Sequence, residues 1–248
     1  YRLLLITILC SLLLSATQML SSTPIVVDGI LYIKTATVFL TEGYQAAIKI
    51  YPWPFFSILI AMLSQFTHLS LETSAYAING FFQVILACAF ILTTRALGGQ
   101  RLQQTWAAVI ILVYPYLNST RAYITRDFGY WGLALCALAF LLRYAEHGRW
   151  KDALAWGCCM SLATLFRIEG AAFLCFAPLC LLIMSTHTHR FWHYIKANTV
   201  LIVLALLITA YWFAHPQASA HAGRLTEFIH KLQNGIFMVQ NRLQTQAD

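Results

Sequence analysis

Six residues of this chain could together do acid, base and anion-binding chemistry: Asp28, Asp127, Glu169, Arg121, Arg126 and Arg167. One carboxylate can take a proton from an attacking hydroxyl, and a second can hold an acceptor, a metal ion or an arginine. Guanidinium forks suit phosphate oxygens, which they bind through two parallel hydrogen bonds. The combination fits a reaction on a lipid phosphate at a membrane surface. The alternative is that these residues form ion pairs and helix caps; Asp127, just before the apolar run from Phe128, could cap a helix there.

Hydropathy is what gathers these residues on one side. The 248 residues are 60% hydrophobic and 10% charged, against about 25% charged in a soluble domain. This composition predicts an integral membrane protein. The net charge of +7 does not point to nucleic acid, because the bases stand singly at the ends of apolar runs and read as topology signals. Apolar runs at 3–20, 74–94, 104–117, 128–142, 152–166, 170–185 and 197–214 are the expected spans.

The run at 55–67 decides the topology. It follows Pro52 and Pro54 and has only 13 residues, whereas crossing takes about 20. Laid on the surface, it leaves Arg2, Arg95, Arg101, Arg143, Arg149, Lys151, Arg190 and Lys196 inside, as the positive-inside rule favours. Asp28, Glu42, Glu72, Asp127 and Glu169 then face outside. Charge is costly at the bilayer centre, so acids gathered at helix ends on one side mark a polar site there.

The expected fold is all-α: a polytopic transmembrane helix bundle over residues 1–214, with about seven spans. A long first external loop, 24–73, carries membrane-surface helices. In it Asp28-Gly29 is read as a turn, followed by a helix-prone stretch from Ile30 to Leu40. Residues 215–248 form an external polar segment, read as the start of a further C-terminal part of a longer protein.

The order of these features resembles the C-type (GT-C) glycosyltransferases, membrane enzymes that use polyprenyl-phosphate sugars. The resemblance covers roughly residues 1–215 as an ordered pattern. After the first span comes Val27-Asp28-Gly29-Ile30-Leu31-Tyr32, then Tyr51-Pro52-Trp53-Pro54-Phe55, then the basic Thr94-Arg95-Ala96-Leu97-Gly98-Gly99. Arg121-Ala122-Tyr123-Ile124-Thr125-Arg126-Asp127 opens a later span, and Phe166-Arg167-Ile168-Glu169-Gly170 closes another. There is no Asp-Asp pair after the first span, as in protein O-mannosyltransferases, and no Asp-x-Asp, as in oligosaccharyltransferases. The nearest likeness is to bacterial members that modify lipopolysaccharide or other envelope glycans.

The resemblance implies transfer of a sugar from a polyprenyl-phosphate donor to a glycan, lipid or protein acceptor, with inversion. Asp28 would be the general base and Asp127 would position the acceptor or a divalent cation. Arg167, with Arg121 or Arg126, would stabilise the leaving phosphate. Glu169, Tyr32 and Lys34 would support the site or the acceptor. The site would face the periplasm from a bacterial inner membrane, with membrane lipids around it and no nucleic-acid partner.

Two other functions stay open at this stage. A transporter or flippase for a lipid-linked or anionic substrate would place ionisable groups at mid-membrane. A non-catalytic assembly subunit would tolerate loss of both Asp28 and Asp127. Remaining features have plainer readings. The seven cysteines lie in apolar runs without a Cys-x-x-Cys pair and read as small fillers. His187, His189 and His193 have metal-compatible spacing but read as an inner loop end. Tyr32, Tyr44, Tyr51, Trp53 and Tyr116 read as an interfacial aromatic belt, with sugar stacking as the alternative.

Overall fold

A computed structural model describes residues 2–20, 25–184, 190–204 and 207. Among them every regular element is helical. The later part of the last expected span, residues 215–248, and His187 and His189 lie outside the described residues. The chain divides into a unit Tyr1–Leu201, which holds every element named below, and a second unit Ile202–Asp248.

The elements are α1 (Arg2–Leu20), α2 (Val27–Glu42), α3 (Tyr44–Ile50), α4 (Phe55–Thr67), α5 (Leu71–Ala96), α6 (Arg101–Val113), α7 (Pro115–Thr120), α8 (Asp127–His147), α9 (Trp150–Phe166), α10 (Gly170–Phe176), α11 (Cys180–Met184) and α12 (Arg190–Ala197). A single 3-10 turn at Ala177–Leu179, containing Pro178, joins α10 to α11. Of the described helices, α5 with 26 residues and α8 with 21 are long and apolar enough to cross a bilayer. The described part of the expected span at 170–185 is an apolar helical run, Gly170–Leu182, that tightens to a single 3-10 turn around Pro178, where the proline ring removes a backbone donor.

The centre of the unit is α5, which packs on α1, α6 and α8, while α8 also packs along α9. The close approach of α5 and α8 needs Gly132, where a Cβ would lie 3.0 Å from the Phe82 carbonyl oxygen. Residue size thus sets the helix spacing, as it does where packing alone holds helices together. The loop before α8 is pinned to the start of α5: Asn79 Nδ2 donates to the Tyr123 carbonyl at 2.8 Å and the Tyr76 hydroxyl to that of Ala122 at 3.3 Å. α5 and α8 therefore begin at the same end of the bundle. At the other end one cleft brings Arg2 together with Arg95 and Arg101, and a second brings Arg95 together with Arg143 and Arg149. α1, α6 and α9 thus run opposite to α5 and α8; Asp28, Asp127 and Glu169 lie at one end, and Arg2, Arg95, Arg101, Arg143 and Arg149 at the other.

The side-chain pattern of α1 is inverted relative to a helix of a water-soluble protein. Its inner face buries Thr7 and Ser11, while Leu5, Leu9 and Leu13 are exposed. α6 similarly exposes Leu102, Trp106, Ile110 and Val113.

One local expectation is corrected. Asp28-Gly29 is not a turn but the first turn of α2. Asp28 complements the positive end of the helix dipole there. Gly29 serves close packing: a Cβ at that position would lie 3.1 Å from the Ile124 Cβ. The chain turn comes instead at Gly43, whose φ of +84° separates α2 from α3. The 55–67 segment is a helix, α4, that buries Phe56, Ile60 and Ala61 against α2 and α5.

Candidate functional site at the acidic end

The positions of the polar residues follow from the aromatic layer beneath them. Phe166, the last residue of α9, is 2% exposed and meets Phe55, Phe56 and Phe82, with ring centroids 5.1, 6.3 and 4.9 Å away. Gly129, in the first turn of α8, leaves room for the Phe166 ring; a Cβ would overlap its Cε1 and Cδ1. Phe166 thereby draws the end of α9 against the start of α8. The next residue, Arg167, leaves the helix in an extended conformation and enters the tight turn to Gly170.

Arg167 then bridges two carboxylates. One guanidinium nitrogen, Nη1, meets Asp127 Oδ1 at 2.6 Å, and Nη2 meets Glu169 Oε1 at 2.8 Å. These are charge-assisted hydrogen bonds, stronger than neutral ones. The Glu169 carboxyl is held below its usual range, first by the hydrogen bond from Arg167. The Arg167 guanidinium is held charged more firmly than usual, first by the hydrogen bond to Glu169. Its Cζ also lies 5.9 Å from the Tyr130 ring centroid, within the range of cation–π attraction.

Beside this trio stands a second group. Arg126 Cζ lies 5.5 Å over the Tyr51 ring and forms no ion pair among the described residues. Tyr51 packs edge-on to Tyr32, with ring centroids 5.5 Å apart. Burial pushes both phenols up, so both stay protonated donors. Asp28 stands one turn before Tyr32 on α2. The tyrosine pair thus links α2 and the α3–α4 turn to Arg126 at the start of α8, and the Asp127–Arg167 pair links that start to the α9–α10 turn. Asp28 is exposed and forms no ion pair among the described residues.

Of the residues expected at the site, Tyr32 and Arg126 meet through Tyr51, Asp127, Arg167 and Glu169 form the ion-paired trio, and Asp28 lies one turn from Tyr32 on α2. Arg121 and Lys34 do not join them. Arg121 is 6% exposed and points into the bundle, with Nη1 donating to Gln83 Oε1 at 2.6 Å and Ser15 Oγ at 2.9 Å, and Nε to Asn118 Oδ1 at 2.9 Å. A guanidinium so engaged pins the loop to α1 and α5 and has few donors left for a ligand. Lys34 is exposed on α2; at six residues from Asp28 it lies off the face that Asp28 and Tyr32 share at i and i+4.

Two neighbours were not singled out by sequence for this site. Tyr51 was grouped with a general aromatic belt. Tyr130 carried no assignment, although its spacing of three residues from Asp127 puts both on one face of α8. From Tyr130 an apolar groove of about 350 Å³ runs along Trp131, Ala134, Leu138, Met160 and Phe173. The larger clefts lie at the opposite, arginine-bearing end. Among the described residues no three His, Cys, Asp or Glu side chains gather as a metal ion would require.

The chain matches no protein-family model, no curated protein and no solved structure.

Proposed function

We propose that this chain is an integral-membrane glycosyltransferase of the C-type, acting on a polyprenyl-phosphate sugar at the acidic end of the bundle. Its membrane setting is supported by the inverted polarity of α1, the exposed apolar face of α6 and the two spanning-length helices. Shorter helices such as α6 and α9 complete about seven spans when extended by the turns beside them. The acidic end faces the periplasm of a bacterial inner membrane, and the arginine end faces the cytoplasm.

The observation that carries the reading is the Asp127–Arg167–Glu169 trio with Arg126 over the Tyr51–Tyr32 pair, beside an apolar groove and with Asp28 one helical turn from Tyr32. The polyprenyl chain lies in the groove, and the phosphate at its head lies by Arg167 and Arg126. Asp28, which carries no ion pair among the described residues, takes the proton from the acceptor hydroxyl. The hydroxyl oxygen attacks the anomeric carbon from the face opposite the phosphate. The bond from that carbon to the phosphate oxygen breaks, and its electron pair leaves on the lipid phosphate. Arg126 is the guanidinium best placed to move onto that charge, because no carboxylate competes for it. Asp127 and Glu169 fix Arg167, and Asp127 also borders the acceptor. Preorganised donors of this kind contribute about 3 kcal/mol each to the transition state.

The test uses the purified protein in proteoliposomes with a labelled polyprenyl-phosphate sugar and a glycan acceptor. Transfer consumes the donor and releases polyprenyl phosphate with label on the acceptor. A flippase would instead move intact donor between leaflets, and that outcome would replace the transferase reading.

A further inference from the structure

We infer that the arginine-bearing end of the bundle holds a binding site for the headgroup phosphate of an anionic phospholipid. The inference rests on the membrane reading above but not on sugar transfer. Arg2, Arg95 and Arg101, brought together from the starts of α1 and α6 and the end of α5, line a cleft of about 630 Å³ with Leu3, Gln104 and Thr105. That volume falls within the range of about 300–1,000 Å³ typical of small-molecule sites. No carboxylate lines the cleft, and none of its three arginines forms an ion pair among the described residues.

The cleft is built rather than left over. The turn between α5 and α6 is closed by the Gly99 N–H donating to the Thr94 carbonyl at 2.9 Å and by Gln104 Nε2 donating to the Gly99 carbonyl at 2.8 Å. Gly98 has a φ of +85°, and a Cβ on Gly99 would lie 2.6 Å from the Thr94 oxygen. This tight turn is what sets Arg95 beside Arg101. The first turn of α6 carries no acidic residue and no side-chain cap, so its backbone N–H groups add to the positive field.

Arg95 also borders a second cleft of about 470 Å³, with Arg143 and Arg149 among apolar Leu92, Ala139 and Phe140. There the only carboxylate on the wall is Glu146, which lies 3.4 Å from His147. Arg143 is ion-paired with the buried Asp152 at 3.3 Å, which leaves Arg95 and Arg149 as the cations without a carboxylate partner among the described residues. A phosphate flanked by arginines and continued by apolar side chains is the chemistry of a lipid headgroup and its first acyl carbons. A free inorganic phosphate would have no use for the apolar wall.

The test places the purified protein in nanodiscs of phosphatidylcholine with a minor share of spin-labelled phosphatidylglycerol. The immobilised fraction is read by electron paramagnetic resonance. The parent should immobilise phosphatidylglycerol in preference to spin-labelled phosphatidylcholine. Arg95→Gln and Arg101→Gln should each cut that preference about fivefold. Lys151→Gln, an exposed cation at the start of α9 that lines neither cleft, should leave it unchanged. An equal fall with Lys151→Gln would mean a diffuse surface field and no site. No preference in the parent, or full displacement by excess inorganic phosphate, would likewise overturn the lipid assignment. Selectivity that survives alongside absent sugar transfer would sink the transferase reading alone.

Discussion

Arg121 and Arg126 stand five residues apart in one loop and do different work. Arg121 is buried and spends its donors on α1, α5 and its own loop, whereas Arg126 lies over Tyr51 without a carboxylate. Removing Arg121 leaves Gln83 and Asn118 short of a buried partner, so Arg121→Ala should lower stability by about 1–3 kcal/mol in detergent unfolding. Arg126→Gln should change stability by less than about 1 kcal/mol. It should instead cut sugar transfer by about two orders of magnitude. Equal effects of the two variants on unfolding would contradict the separate placements. Glu169 gives a pH prediction. Its carboxyl is depressed below the ordinary 4.5, chiefly by Arg167, so its stabilising effect is complete above that value and is lost as pH falls through the depressed one. The pair is half-exposed, so the effect is ~0.5 kcal/mol or less. Melts from neutral to acid pH should show a slightly flatter acid limb in Glu169→Gln.

The elements depend on contacts that span long stretches of sequence. The ion pair between Asp127 and Arg167 exists because Phe166 fits over Gly129. Gly129→Ala would force the ring away, costing about 1–3 kcal/mol and opening the gap between α8 and α9. A cysteine pair at positions 127 and 167 should then crosslink more slowly than in the parent; unchanged crosslinking would mean the glycine is incidental. Sequence spacing disclosed part of this arrangement. The acids at helix ends follow from hydropathy and order; that Arg167 spends its guanidinium on Asp127 and Glu169 does not, because Asp127 lies forty residues away. The helical start of α2 was hidden, because Asp-Gly is a turn signal locally, and the side chains that crowd Gly29 are Ile25 just before it and Ile124, nearly a hundred residues on. Arg121 was likewise unreadable: its partners Ser11, Ser15 and Gln83 lie on two distant helices, and nothing local marks a guanidinium as turned inward.

At the scale of the whole bundle, an end carrying Arg2, Arg95, Arg101, Arg143 and Arg149 stands opposite the end carrying Asp28, Asp127 and Glu169 among the described residues, a bias that a membrane would impose. It gives a sidedness prediction. In a background lacking the seven native cysteines, Ser119→Cys should react with an impermeant maleimide added from the periplasmic side, and Gln103→Cys should not. Both positions are exposed, and Gln103 avoids the strain that any side chain at Gly99 would create. Labelling of Gln103→Cys from that side would invert the topology and detach the acidic end from its proposed substrate. The all-helical architecture and the two spanning-length helices, α5 and α8, were legible in the apolar runs. The 3-10 turn around Pro178 and the shortness of α6 were less so, because hydropathy averages over a run and does not see where backbone hydrogen bonding changes.

The central claim is that Asp28 is the base of a sugar transfer. The most direct measurement compares label transferred from a polyprenyl-phosphate sugar by the parent, Asp28→Asn and Asp127→Asn at equal protein level. Asp28→Asn should abolish transfer with folding intact, and Asp127→Asn, which also removes one of the two carboxylates that hold Arg167, should lose most of it. Normal transfer by Asp28→Asn, or none by the parent, would contradict that claim.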